Sequence, residues 1–390
     1  MMMMRPDSRS QRGGLGVAVV GFLLVLGSAA APAGGAAQIV ENPAKPRAAN
    51  AGRVVVPEEV LSISDEGQSD FYFKWPAGLR TGLDGSLLVR EADQVLWFAK
   101  DGRLLGNLFK KGQGPGEMPY PGMPVATDSG LVVFSGYPAK LVFFDRTGRY
   151  EKEIALRTEG RASLSLIGYR EGRFYFDRHE FPRTSGDPDF VDNPRTIVAV
   201  SEADGSITPL AAFVTRAWVV TAGGGGGMFD VTTLIAVPFG RSLLALTHTE
   251  DYLVKLYDPA AEKTVREFQR VYGRVKGIPL TEAEKKGGIF IDGKHYTRPE
   301  RKFEIDVKNL FARDDEIWAV TSTIDKDKGI LVDVFDGEGV YRDCFWLKLP
   351  EAARRSLVSP GQCVLDGEFL WIVERSEDET FAIKKYRVTG

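Results

Sequence analysis

Short apolar runs with strand-like alternation, bounded by Asp-Gly, Glu-Gly and similar turn pairs, recur along almost the whole chain. The clearest pair is Leu83-Asp84-Gly85-Ser86-Leu87-Leu88-Val89 and Thr127-Asp128-Ser129-Gly130-Leu131-Val132-Val133. Each is followed by a second hairpin, Val95-Leu96-Trp97-Phe98 into Asp101-Gly102, and Leu141-Val142-Phe143-Phe144 into Thr147-Gly148. The unit is therefore strand a, tight turn, strand b, loop, strand c, tight turn, strand d. It recurs around Glu171-Gly172, Phe239-Gly240, Asp314-Asp315 and Asp366-Gly367. Helical turns are expected only at Thr281–Lys286 and Glu351–Arg355, both inside connections.

A four-stranded unit of this kind cannot bury both faces alone, so neighbours must stack and the stack must close on itself. The pattern predicts an all-β chain, a six-bladed β-propeller of four-stranded antiparallel blades. The sixth unit ends after its third strand. The N-terminal strand, residues 54–63, is expected to complete that last blade and so remove an unpaired edge. Residues 54–390 are read as a single domain and residues 38–53 as a polar linker.

The start of the chain follows different rules. Arg5, Arg9 and Arg12 precede a short apolar run from Leu15 to Leu26, and small residues then offer cleavage sites after Ala31 or Ala37. This is the layout of a secretory signal peptide over residues 1–37. The apolar run is shorter than the ~20 residues a spanning helix needs. A periplasmic or extracellular product with no transmembrane anchor after cleavage is expected. Losing Arg5, Arg9, Arg12 and Asp7 takes the formal charge from -3 to about -5, so nucleic acid is not an expected partner. The two cysteines, Cys344 and Cys363, fall on an outer strand and on the inner strand of the next blade. That separation predicts free buried thiols rather than a bridge.

The connection Lys111-Gly112-Gln113-Gly114-Pro115-Gly116-Glu117-Met118, with Phe144-Asp145-Arg146-Thr147-Gly148 after it, resembles a group of exported six-bladed propellers. These carry a GxGPGEF turn between blades and are distantly similar to NHL-repeat propellers. The resemblance is specific over Trp97–Ile154 and architectural elsewhere, and Met118 stands where an aromatic is usual. It implies fold and export but no defined reaction. The glycines supply positive φ, and Glu117 can accept from the freed amides.

The long connections, Phe181–Pro194, Arg216–Asp230 and Tyr272–Arg301, are all b–c loops or d–a connections. In an up-and-down blade these emerge at one end, so one face is expected to carry ligand or partner contacts. Candidate ligand-binding residues are Gln113, Glu117, Tyr137, His179, Arg183, Trp218, His248 and Tyr296. Other aromatics expected on that face are Tyr120, Phe181, Phe190 and Phe229. The leading expectation is a binding module for a glycan, peptide or protein outside the cytoplasm. The alternative is a metal-dependent hydrolase or lyase at the mouth of the central channel, with Ca or Zn on His179, His248, Asp177 and Glu250. No cofactor is otherwise expected, because HExxH, EF-hand, CxxC and GxSxG spacings are missing from the sequence.

Overall fold

The computed structural model describes residues 39–158, 162–182, 184, 188–222, 225–291 and 293–389, so the expected leader and Arg183 lie outside it. The described chain is all-β. Six sheets of four or five strands follow one another, with one small hairpin and two short helices between them.

Sheet 1 runs Ala77–Thr81, Leu87–Arg90, Val95–Phe98, Leu104–Asn107, and sheet 2 runs Met123–Ala126, Leu131–Gly136, Ala139–Phe144, Tyr150–Ala155. Sheet 3 begins with Ser163–Arg170 and Arg173–His179, then lengthens into Asp189–Ser201, Ile207–Ala222 and Gly225–Asp230. Sheet 4 runs Ile235–Phe239, Leu243–Thr247, Val254–Asp258, Lys263–Arg270, and sheet 5 runs Val307–Arg313, Glu316–Asp325, Gly329–Asp336, Tyr341–Leu347. Sheet 6 takes Cys363–Asp366, Phe369–Arg375 and Phe381–Arg387 from the C-terminus, and Glu58–Ser64 from the N-terminus. Ile63 pairs with Ile383 and Lys384 with Ser62 across that last seam.

The first strand of each sheet touches the first strand of the next, and Cys363–Asp366 lies beside Ala77–Thr81. Because side chains alternate along a strand, each sheet has two apolar faces to cover. Each consecutive pair of sheets covers them with one shared cluster. Trp97 and Leu88 meet Val133 and Phe144 between sheets 1 and 2, and Phe134 meets Phe176 between sheets 2 and 3. Tyr175 meets Leu244, Phe268 meets Phe335, and Trp318 meets Ile372 at the next three. Between sheet 6 and sheet 1, Trp371, Val373 and Ile383 pack on Leu87, Val89 and Phe98.

The stretch expected as a linker carries strands instead. Ile39–Asn42 adds to sheet 4 parallel to Lys263–Arg270, and Arg53–Val55 adds to sheet 5 parallel to Tyr341–Leu347. Asn42 locks the passage between them. Its amide donates to Gly339 O at 2.8 Å and Gln269 O at 3.0 Å, and its carbonyl accepts from Tyr341 N at 2.9 Å. The strand expected over 54–63 is split at Pro57, which has no N–H to give to a ladder. Upstream of the proline the chain edges sheet 5, and downstream it enters sheet 6. The N-terminal segment thus blunts three outer edges in succession.

A buried polar knot joins sheets 4 and 5. Asp333, with no solvent exposure, accepts from Arg270 Nε at 2.7 Å, Tyr252 OH at 2.8 Å and Tyr341 OH at 2.6 Å. The Arg270 guanidinium also lies over the rings of Tyr252, Tyr272 and Tyr341, a setting that suits its delocalised charge. Cys344 and Cys363 are both buried and free.

Candidate functional site

Three of the long connections meet in one cleft, but not as loops. Beyond the body of sheet 3 the ladder continues, with Phe190 opposite Trp218 and Trp218 opposite Phe229. The run Ala217-Trp218-Val219-Val220 is strand in both composition and outcome, and Gly225–Asp230 pairs back along it. The insertion between sheets 4 and 5 folds into a short helix, Glu282–Lys286, and the hairpin Ile289–Ile291 with Lys294–Tyr296. A capping box between Thr281 and Glu284 starts that helix at the turn read from the sequence. The hairpin then packs Ile289, Ile291 and Tyr296 against Trp218, Val220 and Phe229. Gly227 lets Ile289 come close, because a Cβ there would lie 2.5 Å from Ile289 Cγ2.

The base of the insertion is pinned by Arg274, which bridges Asp306 at 3.1 Å and Asp251 at 2.8 Å and donates to the Glu250 and Glu304 carbonyls. Between the raised ladder and the return of the insertion lies a cleft of about 400 Å³. That volume falls within the ~300–1,000 Å³ of small-molecule sites. Phe190, Trp218 and Phe229 provide its aromatic wall, and Arg216, Arg298, Arg301 and Lys302 bring positive charge. Glu250, Asp230 and Glu300 complete the polar rim.

The charges in the cleft are committed to different degrees. Arg298 pairs with Glu284 at 2.8 Å, and Asp230 faces Arg195 at 3.4 Å. Arg216 lies over the Phe190 ring at 5.4 Å, and Arg301 donates to the backbone oxygen of Asp230 at 2.6 Å. Neither has a carboxylate within ion-pair distance among the described residues. Burial pulls the Arg301 pKa down and pushes that of the Asp230 carboxyl up. Both guanidinium groups therefore retain donors for an acceptor from outside.

The residues singled out from the sequence separate into groups. Trp218 lines the cleft with Glu250, and Tyr296 supports it from behind. Gln113 is exposed on the turn between sheets 1 and 2, away from the cleft. Glu117 there accepts from Gly114 N at 3.0 Å and pairs with Lys110 at 2.8 Å, while Met118 is fully buried against Trp97 and Leu108. That turn is a packed connection. Tyr137 stands out into solvent on the hairpin tip of sheet 2 and joins no site.

The proposed metal ligands do not form a set. Among the described residues no three His, Cys, Asp or Glu side chains gather as a metal group. The Asp177 carboxylate is held by Arg195 at 2.7 Å, with His179 Nδ1 3.5 Å away. A guanidinium against the carboxylate leaves no room for a cation's charge. His248 belongs to different surroundings: its ring packs on Phe213, and its Nδ1 lies 3.1 Å from Val214 O. With Nδ1–H donating, the buried Nε2 is an unprotonated nitrogen without a partner among the described residues. Sequence reading missed Arg216 and Arg301, whose only signal was their place inside long connections.

His248 gives a pH-dependent expectation. Burial lowers its pKa from the ordinary 6.5, so the fold prefers the neutral ring. The stability it contributes is complete above the unfolded value and is lost as pH falls through about 6.5 toward the lowered folded value. Urea unfolding midpoints measured from about pH 7.5 to 5 are expected to fall less steeply in His248→Gln than in the parent protein. Equal slopes would refute a buried neutral His248.

No family model and no curated protein matches the chain. Solved structures do. A Bacteroides fragilis protein described as exported is 11% identical, with 90% of this chain and 100% of that one covered and a TM-score of 0.50. A gluconolactonase from Xanthomonas campestris is 14% identical, with 86% and 98% covered and a TM-score of 0.42. The β-propeller domain of a Myceliophteria thermophila protein is 11% identical, with 85% and 100% covered and a TM-score of 0.40. These neighbours are β-propeller proteins. The likeness is one of fold alone.

Proposed function

We propose that this chain is an exported six-bladed β-propeller that works as a binding module in the periplasm or outside the cell. Six consecutive sheets, a shared apolar cluster between the sixth and first, and the pairing of Glu58–Ser64 with Phe381–Arg387 support a ring closed by its N-terminal strand. The basic-then-apolar leader over residues 1–37 supports export, and residues 54–390, joined by the edge strands before them, act as one domain.

The functional reading rests on one observation: separate connections, all from the same end of their sheets, converge on one aromatic and guanidinium-lined cleft. Rings supply stacking surface, and Arg216 and Arg301 supply directed donors, a combination suited to a glycan with an acidic substituent. A metal-dependent hydrolase has less support, since Asp177 is already neutralised by Arg195 and His248 is turned to a backbone carbonyl.

Binding of a panel of neutral and acidic oligosaccharides, with peptides as a comparison class, tests the proposal. Phe190→Ala and Arg216→Ala are expected to weaken binding of the acidic glycan about tenfold or more each, a loss of about 1.4 kcal/mol. Tyr137→Ala, outside the cleft, should leave it unchanged. Binding that survives both cleft substitutions, or that is confined to peptides, would remove the basis for the assignment.

A further inference from the structure

A second cavity of about 970 Å³ runs between the first strands of all six sheets. Its wall is mainly aliphatic, with Val125, Leu166, Val237, Leu310 and Val364 contributed by different sheets. Charged side chains also line it, Arg170, Arg241, Asp128, Glu171 and Asp177 among them, and Arg80 crosses from one sheet toward another. Its side chain leaves sheet 1, reaches past the first strand of sheet 2, and places Nη2 3.3 Å from Leu166 O and 3.4 Å from Ile167 O of sheet 3. Its Nη1 donates to Leu79 O at 3.0 Å.

These bonds leave the group under-satisfied. The two that cross the cavity are at the long end of the hydrogen-bond range. A guanidinium has five N–H donors, so Nε–H and one N–H of Nη1 have no acceptor among the described residues. No described carboxylate comes within ion-pair distance of Arg80. Three acids line the cavity: Asp128, which accepts from Tyr169 OH at 3.3 Å, Asp177, which pairs with Arg195, and Glu171 at the turn after Ser163–Arg170. Burial without a counter-charge draws the Arg80 pKa down. A guanidinium met within the channel only by neutral carbonyls is a ready partner for an anion. The register shift in Ser163–Arg170 between Leu166 and Gly168 adds one residue, Ile167, at the point where Arg80 reaches it.

We propose that the channel is a binding site for a small oxyanion, a carboxylate or phosphate group, held by the free N–H donors of Arg80. The anion supplies the missing counter-charge and accepts from N–H groups that the protein's own carbonyls leave free. This site is separate from the cleft and shares none of its residues, so either can fail alone.

The test is calorimetric titration and thermal unfolding of the protein in low-ionic-strength, chloride-free buffer with acetate, inorganic phosphate or sulfate. Saturable binding with a rise in melting temperature is expected for at least one. Preference for acetate would assign a carboxylate-bearing ligand, and preference for phosphate or sulfate a tetrahedral anion. Arg80→Met is expected to melt no lower than the parent in anion-free buffer and to lose the response at least tenfold, and Arg80→Lys to keep part of it. Absence of saturable binding to all three anions would overturn the proposal. So would an Arg80→Met variant that binds as the parent does. A third contrary result is a variant melting well below the parent in anion-free buffer, which would mark Arg80 as a brace between sheets.

Discussion

A chain lacking residues 1–64 is expected to lose cooperative unfolding altogether. The strand Glu58–Ser64 is the fourth of sheet 6, and without it Phe381–Arg387 becomes an open edge. Ile63 is only 4% exposed and sits in the cluster that Trp371, Val373 and Ile383 share with sheet 1. The truncation removes that ladder, uncovers the seam between the sixth and first sheets, and takes the two parallel edge strands with it. A loss of this kind is comparable with the whole ~5–15 kcal/mol by which domains are stable. Exposed ladder groups beside apolar side chains also promote association. The flanking pairs Lys384–Glu59 and Arg387–Glu58 lie at the surface, and their loss matters little by comparison. Urea unfolding followed by circular dichroism, with size-exclusion chromatography for aggregation, measures this. Ile63→Ala isolates the seam in an otherwise intact chain, with an expected cost of about 2–5 kcal/mol. A truncated chain that unfolds at the parent midpoint would show that the N-terminal strand does not hold the structure together.

The second large effect is expected at Asp333. Alanine there leaves the Arg270 guanidinium buried without its carboxylate and removes the acceptor from Tyr252 and Tyr341. Breaking one side of a buried pair costs about 3–5 kcal/mol. Replacing both partners should cost much less, because the uncompensated charge disappears with its partner. The double variant Asp333→Leu with Arg270→Met is therefore expected to recover most of the loss, read as the coupling energy of a double-mutant cycle in urea. If the double variant is as damaged as Asp333→Ala, the effect comes from lost packing or tyrosine bonding rather than from stranded charge.

The sheets were legible because their signals are local. Asp84-Gly85, Glu171-Gly172 and Asp366-Gly367 each mark a turn whose second residue has positive φ, and the strands on either side alternate as expected. The edge strands were not legible. Ile39–Asn42 has four residues and no period of its own, and it is a strand because Lys263–Arg270 offers an open edge and Asn42 fits between two sheets. The raised ladder of sheet 3 was misplaced for the opposite reason. Its apolar run Ala217–Val220 is strand-like, but the glycines from Gly223 to Gly227 suggested a loop. The cleft was half visible: Trp218 stands out as an aromatic in a long connection, whereas Arg216 and Arg301 become neighbours only when two insertions fold against each other. The metal candidates failed through their partners, since nothing near Asp177 in sequence reveals that Arg195 will occupy it.

Because one sheet draws strands from both ends of the chain, the final contacts span most of the sequence, Lys384 meeting Glu59 and Arg387 meeting Glu58. Such long-range pairing forms late and slowly. During synthesis the early sheets can stack, yet their first and last members have no shared wall until Phe381–Arg387 has been made. Until then, the strand that will complete the assembly is an unpaired tail. The cluster that joins the sixth sheet to the first therefore waits on residues made more than 300 positions apart, Ile63 and Ile383 among them.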